Sequence, residues 1–115
     1  MPYCQRDLLL VPVPFSDLTS RKVRPVVVLS NDRHNREEQD ILVAGVTSNL
    51  SPRPYAVILD AAQLEEGTIR HRSIVRSDKV FSISQAIVLA RFGRVNQQTF
   101  EQIRLQVQAV MAERA

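Results

Sequence analysis

The chain has 115 residues, enough for one domain and too few for two independent hydrophobic cores. Hydrophobic residues make up 44% and charged residues 23%, a globular composition that argues against disorder. Lys and Arg number 15 against 12 Asp and Glu, and the net charge of +3 fits either an anionic partner or simple solubility. With no Trp, two Tyr and four Phe, the chain is poorly equipped to stack many bases on aromatic rings.

The cysteine content and the apolar segments exclude further classes. Cys4 is the only cysteine, so the chain can form neither an internal disulfide nor a cysteine-built metal site. The N-terminus lacks the charged-then-apolar pattern of a signal peptide, and the longest apolar stretch is broken by Pro12 and Pro14. We therefore expect a soluble cytoplasmic protein with no membrane partner.

Short apolar runs predict about six strands. Residues 8–11, 25–29 and 41–46 are rich in Val, Ile and Leu and bounded by turn residues, as buried strands are. Further strands are predicted at residues 55–59, at 74–76 with 80–83, and at 86–92. Short strands with tight connections favour a small barrel over alternating strand–helix units.

The last part of the chain changes to a helical period. Apolar residues recur at helical spacing at Phe100, Ile103, Val107, Val110 and Met111. Asn96 is placed to cap the free amides of the first turn, so the sequence predicts one amphipathic helix packed on the barrel. Shorter helical turns are predicted at residues 31–38 and 61–64. We expect residues 1–115 to form a single domain.

The sequence offers no cofactor motif. Its three glycines, at positions 45, 67 and 93, are too far apart to form a phosphate-binding loop. His34 and His71 do not have metal-ligand spacing. The sequence therefore predicts a protein without a cofactor or a metal.

Polar side chains at strand ends are the best candidates for a site. Arg24 follows Arg21 and Lys22 and precedes a proline and an apolar strand. A guanidinium held there can offer a planar fork to a phosphate, or it can be an ordinary rim charge. Thr47 and Ser48 close the third apolar run, where their hydroxyls can donate to a phosphate or cap a turn.

Arg76 and Asp78 lie two residues apart, a spacing that puts both side chains on one face of a strand. A cation beside a carboxylate can hold a substrate and accept a proton. The same two residues can equally form a surface salt bridge of little energetic value.

In order along the chain, these pieces resemble a known family, the MazF/PemK toxins. The resemblance begins with Leu-Leu-Leu-Val-Pro-Val-Pro-Phe-Ser-Asp-Leu at 8–18 and Val-Arg-Pro-Val-Val-Val-Leu-Ser at 23–30. It continues through Val-Thr-Ser at 46–48, Ile-Val-Arg-Ser-Asp-Lys at 74–79 and Arg-Val-Asn at 94–96. The Arg-Pro and Thr-Ser pairs are moderately specific alone, and the ordered set, which covers almost the whole chain, is a strong signal.

The resemblance implies a mainly β, SH3-like (CcdB/PemK-like) barrel with a C-terminal helix, working as a homodimer. It implies a sequence-specific, ribosome-independent and metal-independent endoribonuclease that cuts single-stranded RNA, leaving 2′,3′-cyclic phosphate and 5′-hydroxyl ends. A cognate antitoxin protein is expected to block the activity, and the toxin is expected to bind DNA together with that antitoxin.

The resemblance also implies which residues act. Catalytic roles are implied for Arg24, Thr47, Arg76 and Asp78. Contacts to RNA are expected from nearby polar and basic side chains, namely Arg21, Lys22, Ser48, His71 and Lys79. The chain departs from the family pattern at three places. Arg6 stands where a glycine often precedes the first strand's aspartate, Ser77 replaces the usual cysteine, and the short segment 18–23 lacks the Gly-x-Glu-Gln of many members.

Two other classes of protein fit the same residues. A small barrel that binds nucleic acid or a regulatory peptide would use the basic side chains without cutting. A structural subunit would use only its dimer face. The Arg76 and Asp78 pair favours chemistry, because a pure phosphate-binding site gains nothing from a carboxylate.

Overall fold

The computed structural model describes residues 2–14 and 21–113, and it contains one curled antiparallel sheet with two helices. The strands are β1 (Asp7–Pro14), β2 (Arg21–Val28), β3 (Asp40–Thr47), β4 (Ala56–Leu59), β5 (Leu64–Gly67), β6 (Ser73–Ser84) and β7 (Ala90–Val95). The helices are α1 (Asp32–Glu37) and α2 (Gln97–Val110), and two 3-10 turns span Ala61–Gln63 and Gln85–Ile87. The mainly β fold with a C-terminal helix is thus confirmed.

The sheet has the strand order β4-β6-β3-β2-β1-β7-β5, and every neighbouring pair is antiparallel. It curls into a half-barrel whose two edges are the short strands β4 and β5. Helix α2 packs against β4 and β6. No helix in the described part of the chain is long and apolar enough to cross a membrane.

The uninterrupted apolar runs are explained by burial on both faces of the sheet. Leu8 and Val27 belong to one hydrophobic cluster, which Ile103 of helix α2 completes. Their neighbours Leu9 and Val26 belong to the other cluster. Because successive side chains of a strand point to opposite faces, consecutive apolar residues are required wherever both faces are covered.

The predicted elements are largely confirmed, but several bounds differ. Strand β2 begins at Arg21 and not at residue 25, so Arg24 lies within the strand and not at its start. The predicted strand at residues 86–92 is wrong at its start, which is a 3-10 turn, and the strand runs on to Val95. The two predicted pieces at 74–76 and 80–83 form a single strand, β6, interrupted by a bulge. Strand β5 was not predicted, and it raises the number of strands among the described residues to seven.

The one predicted helix cap and the two predicted helical turns are confirmed. The Asn96 side chain accepts a hydrogen bond from the Thr99 amide at 2.8 Å, so it caps α2 as expected. Helix α1 lies within the predicted turn at 31–38, and one 3-10 turn lies within 61–64. Residues 15–18 of the family signature lie outside the described residues, as does the side chain of Arg21.

An ion-pair cluster joins β1, β7 and β5. The Asp7 carboxylate, only 2% exposed, accepts hydrogen bonds from Arg91 Nε at 2.9 Å, Arg94 Nε at 3.1 Å and the Cys4 amide at 2.8 Å. Both arginines also donate to Glu66 of β5, at 3.0 and 2.8 Å. This cluster, called the Asp7 cluster below, fixes the start of β1 against β7 and ties the edge strand β5 to the sheet.

Candidate functional site

The pairing of three strands brings predicted site residues to one face of the sheet. Val26 of β2 lies opposite Gly45 of β3, and Gly45 lies opposite Arg76 of β6. Arg24 and Thr47 follow at a spacing of two residues from Val26 and Gly45, so their side chains share that face. Three of the four predicted catalytic residues therefore meet, although they are up to 52 positions apart in sequence (76 − 24).

These residues line a pocket of about 340 Å³, called the charged pocket below. Four cationic side chains line it, namely Arg24, Arg53, Arg76 and Lys79, and no acidic side chain does among the described residues. Its remaining wall includes Asn49, Phe81 and Val13. A concave surface that carries several cations suits a polyanion such as a nucleic-acid backbone.

A bulge in β6 shapes this pocket. Ala44 lies opposite Val80 while its neighbour Gly45 lies opposite Arg76, so residues 77–79 have no partner on β3. A Cβ atom added at Gly45 would lie 3.2 Å from Lys79 Cδ, which shows that the lysine stem runs across the glycine. The bulge thus directs Lys79, a predicted RNA contact, into the charged pocket.

The predicted pair of Arg76 and Asp78 forms as expected. Arg76 donates to both carboxylate oxygens, from Nε at 3.3 Å and from Nη2 at 3.0 Å. These hydrogen bonds hold the pKa of Asp78 below its ordinary value against the opposing effect of partial burial, and the charges of Arg76 and Arg53 lower this pKa further. Since both side chains are about one-third exposed, the pair contributes little to stability and serves chiefly to orient the guanidinium.

Between them lies Ser77, a buried side chain that is 1% exposed. Its Oγ has no hydrogen-bond partner among the described residues. Because an unpaired buried hydroxyl costs free energy, we predict that Ser77→Ala raises the free energy of unfolding by about 1 kcal/mol, measured by urea denaturation.

The matched control for this prediction is Ser73→Ala on the same strand. Ser73 is also buried, at 5% exposure, but its Oγ donates to the carbonyl of His71 at 3.0 Å. Removing a satisfied hydroxyl is expected to lower stability, so the two variants should differ in sign. Equal losses in both variants would contradict the prediction for Ser77.

Of the two predicted alternatives for Thr47, the turn cap is observed. Its Oγ1 accepts a hydrogen bond from the Asn49 amide at 3.1 Å, and so it caps the turn after β3. Its hydroxyl proton remains a possible donor to a ligand in the charged pocket, which Thr47 also lines. The Asn49 side chain in turn accepts from the Ser51 amide at 3.0 Å, and these turns lead the chain towards Arg53.

A second pocket, of about 510 Å³ and called the side pocket below, adjoins the charged pocket. Both pockets share a wall formed by Arg24–Pro25 and Val46–Thr47. The predicted RNA contacts Ser48 and His71 line the side pocket. Lys22, also predicted to bind RNA, is exposed and lines neither pocket.

Apart from Lys22, and from Arg21 whose side chain is not described, the predicted residues line one of two adjoining pockets, with Asp78 held beside the charged pocket by Arg76. Sequence reasoning missed Asn49, Arg53 and Phe81 in the charged pocket. The signal for Arg53 was weak, because an arginine between two prolines indicates only a turn. Within residues 2–14 and 21–113, no three His, Cys, Asp or Glu side chains come together as a metal site requires.

Comparison with known proteins adds one family and a set of similar folds. Residues 5–111 match the family described as PemK-like, MazF-like toxin of type II toxin–antitoxin system. No curated protein is significantly similar to the chain in sequence.

Solved structures share the fold at low sequence identity. An endoribonuclease from Mycobacterial species is 14% identical with a TM-score of 0.78, over 96% of this chain and 92% of that chain. An endoribonuclease in complex with its cognate antitoxin, also from Mycobacterial species, is 14% identical with a TM-score of 0.78, over 95% and 94%. A MazE–MazF complex from Deinococcus radiodurans is 16% identical with a TM-score of 0.79, over 96% and 97%.

The similar structures show the fold, whereas the family match also covers the residues of the candidate site. The matched residues, 5–111, include every residue that lines the charged pocket and the side pocket. The chain therefore belongs to the PemK-like, MazF-like toxins of type II toxin–antitoxin systems.

Proposed function

We propose that this protein is a sequence-specific endoribonuclease that cuts single-stranded RNA without a metal ion or the ribosome. The observation that carries the proposal is the charged pocket, which gathers Arg24, Thr47 and Arg76 with Asp78 fixed beside them. The endoribonucleases among the similar structures support it.

The proposed reaction uses the 2′-hydroxyl of RNA as the nucleophile. Its oxygen bonds to the adjacent phosphorus while the bond from phosphorus to the 5′ oxygen breaks, which leaves a 2′,3′-cyclic phosphate and a 5′-hydroxyl. The proton of the 2′-hydroxyl passes to a base, the departing 5′ oxygen takes a proton from solvent, and the phosphate passes through a state of greater negative charge. DNA has no 2′-hydroxyl, so it should remain uncut.

The residues of the site fit these needs in distinct ways. Arg24 and Thr47 donate to the charged phosphate oxygens, and Arg76 adds a second cation on the same face. Asp78, ionised and oriented by Arg76, is the candidate base for the 2′ proton. Arginine itself is a poor proton carrier, because its pKa lies above about 12.

The lowered pKa of Asp78 leads to a prediction for the pH dependence. A group with a depressed pKa stays ionised until the pH falls through that pKa, so a base of this kind works fully at neutral pH and fails only in acid. We expect the single-turnover cleavage rate to be nearly constant from about pH 6 to about pH 8 and to fall at lower pH. A rate that instead rises tenfold per pH unit across that range would point to a different base.

We further propose that the active form is a homodimer and that it acts in the cytoplasm, where single-stranded messenger RNA is available. An antitoxin with an acidic flexible segment would compete with RNA for the cations of the charged pocket. The structures of complexes with an antitoxin support such a partner. The toxin bound to its antitoxin is proposed to bind DNA.

The test incubates the purified protein with a long single-stranded RNA in EDTA and maps the fragment ends. Discrete cuts that leave 2′,3′-cyclic phosphates, absent with Arg24→Ala, would establish the enzyme and its recognition sequence. Intact RNA from several unrelated transcripts, with salt-dependent binding by a folded protein, would contradict the proposal and assign the pocket to nucleic-acid binding alone.

A further inference from the structure

The side pocket shares a wall with the charged pocket, and this wall carries the residues proposed to bind phosphate. Arg24 and Thr47 line it as well as the charged pocket. We infer that the side pocket binds one unstacked nucleobase of the RNA, that of a nucleotide adjoining the cut phosphate, and so sets base preference at that position. This inference rests on the proposed function and adds a specificity site to it.

The lining of the side pocket suits a base. One wall is apolar, formed by Leu10, Ile69 and the ring of Phe92. The rim carries groups that can hydrogen-bond, namely Ser48, Thr68 and His71. A nucleobase has the matching shape, with flat faces that stack on apolar or aromatic groups and an edge of donors and acceptors.

The connection between β5 and β6, residues 68–72, forms the outer side of this pocket, and it is firmly held at both ends. Gly67 has φ of +84°, and a Cβ added there would collide with the backbone carbonyl of Phe92. A Cβ added at Gly93 would lie 2.6 Å from the carbonyl oxygen of Glu66. At the other end, Ser73 Oγ donates to the His71 carbonyl at 3.0 Å. A pocket held this way is formed before the ligand arrives, which favours discrimination between bases.

The position of the side pocket favours a nucleobase over an antitoxin side chain as its ligand. A base is covalently joined to the ribose next to the phosphate, so binding the phosphate at Arg24 and Thr47 places it beside the side pocket. Arg70, which also lines the pocket, adds a positive charge that suits the RNA backbone.

The test compares the base preference of cut sites in a random-sequence pool of single-stranded RNA. Phe92→Leu keeps the wall apolar but removes the ring, and Thr68→Ala removes one exposed hydroxyl with little risk to folding. We expect the preference at one position beside the cut to fall roughly 5- to 20-fold while the preferences elsewhere stay unchanged. The control is Leu105→Ala, which removes an exposed apolar side chain from a separate groove between β4 and α2 and should match the wild type.

The outcomes separate the two proposals. Unchanged preferences at every position in Phe92→Leu and Thr68→Ala would overturn this inference and leave the ribonuclease standing. Variants that alter only the inhibition by an acidic antitoxin peptide would also overturn it and would assign the pocket to a protein ligand. RNA left uncut by the wild type would overturn the proposed function, and this inference with it.

Discussion

Replacement of Arg24 by alanine should slow RNA cleavage by about 100- to 1000-fold, the usual cost of losing one preorganised donor to a developing negative charge. Arg24 lines both pockets at their shared wall, and its side chain lies on the same face as Thr47 and Arg76. The measurement is the single-turnover rate on a short RNA that contains the mapped cut site, since this rate reports the chemical step and not product release.

The control for this variant is Arg33→Ala. Arg33 is an exposed arginine of α1 that forms an ion pair with Glu37 at 3.3 Å, and it lies outside both pockets. The two variants lose the same positive charge, so a general effect of net charge on RNA binding would slow both alike. If folded Arg24→Ala cleaves within a factor of a few of Arg33→Ala, then Arg24 has no catalytic role.

The largest effect on stability is expected at Asp7. Asp7→Asn keeps the shape of the side chain but removes the charge that faces Arg91 and Arg94. The Cys4 amide and the two arginines would then compete for the single carboxamide oxygen. Breaking a buried ion pair by removing one partner is costly, so we expect the free energy of unfolding to fall by about 3 kcal/mol, measured by urea denaturation.

Glu37→Gln provides the matched comparison, because it neutralises one carboxylate of an exposed pair. Arg33 and Glu37 are 82% and 63% exposed, and such pairs contribute between about 0 and 0.5 kcal/mol. A loss at Asp7 as small as the loss at Glu37 would show that solvent screens the Asp7 cluster despite its burial.

Much of this fold could be predicted from the sequence because its strongest signals are local. The run at 25–29 indicated a buried strand, and Val26 and Val27 are fully buried on opposite faces of β2. Strand β5 could not be predicted, since Leu-Glu-Glu-Gly has no strand pattern of its own. Its conformation comes from pairing with β7 and from the bonds of Glu66 to distant arginines, which no local pattern records.

The candidate site likewise contains some residues that could be predicted from the sequence and others that could not. Arg24, Thr47 and Arg76 could be identified as candidates from the sequence, and all three line the charged pocket. Arg53 lines the charged pocket because of the course of a turn, and Phe81 lines it because of the bulge in β6. Neither position can be predicted from the spacing of residues in the sequence. At Arg6, where the family often has glycine, φ is +79°, and the guanidinium donates to the Val95 carbonyl at 2.9 Å. This long-range hydrogen bond compensates for the unfavourable backbone conformation.

Burial on both faces of β1 and β2 has a consequence for how the site is aligned. In a sheet with one wet face, a slip of one residue between strands exposes the core, and this penalty maintains the alignment. Here the neighbours Val26, Val27 and Val28 are all fully buried, so a slipped β2 would still place valines on both sides. The alignment must then be enforced by polar and irregular features such as the Asp7 cluster and the bulge at residues 77–79. Substitutions that weaken these features can therefore inactivate the protein by misaligning Arg24 and Thr47 while the apolar core stays intact.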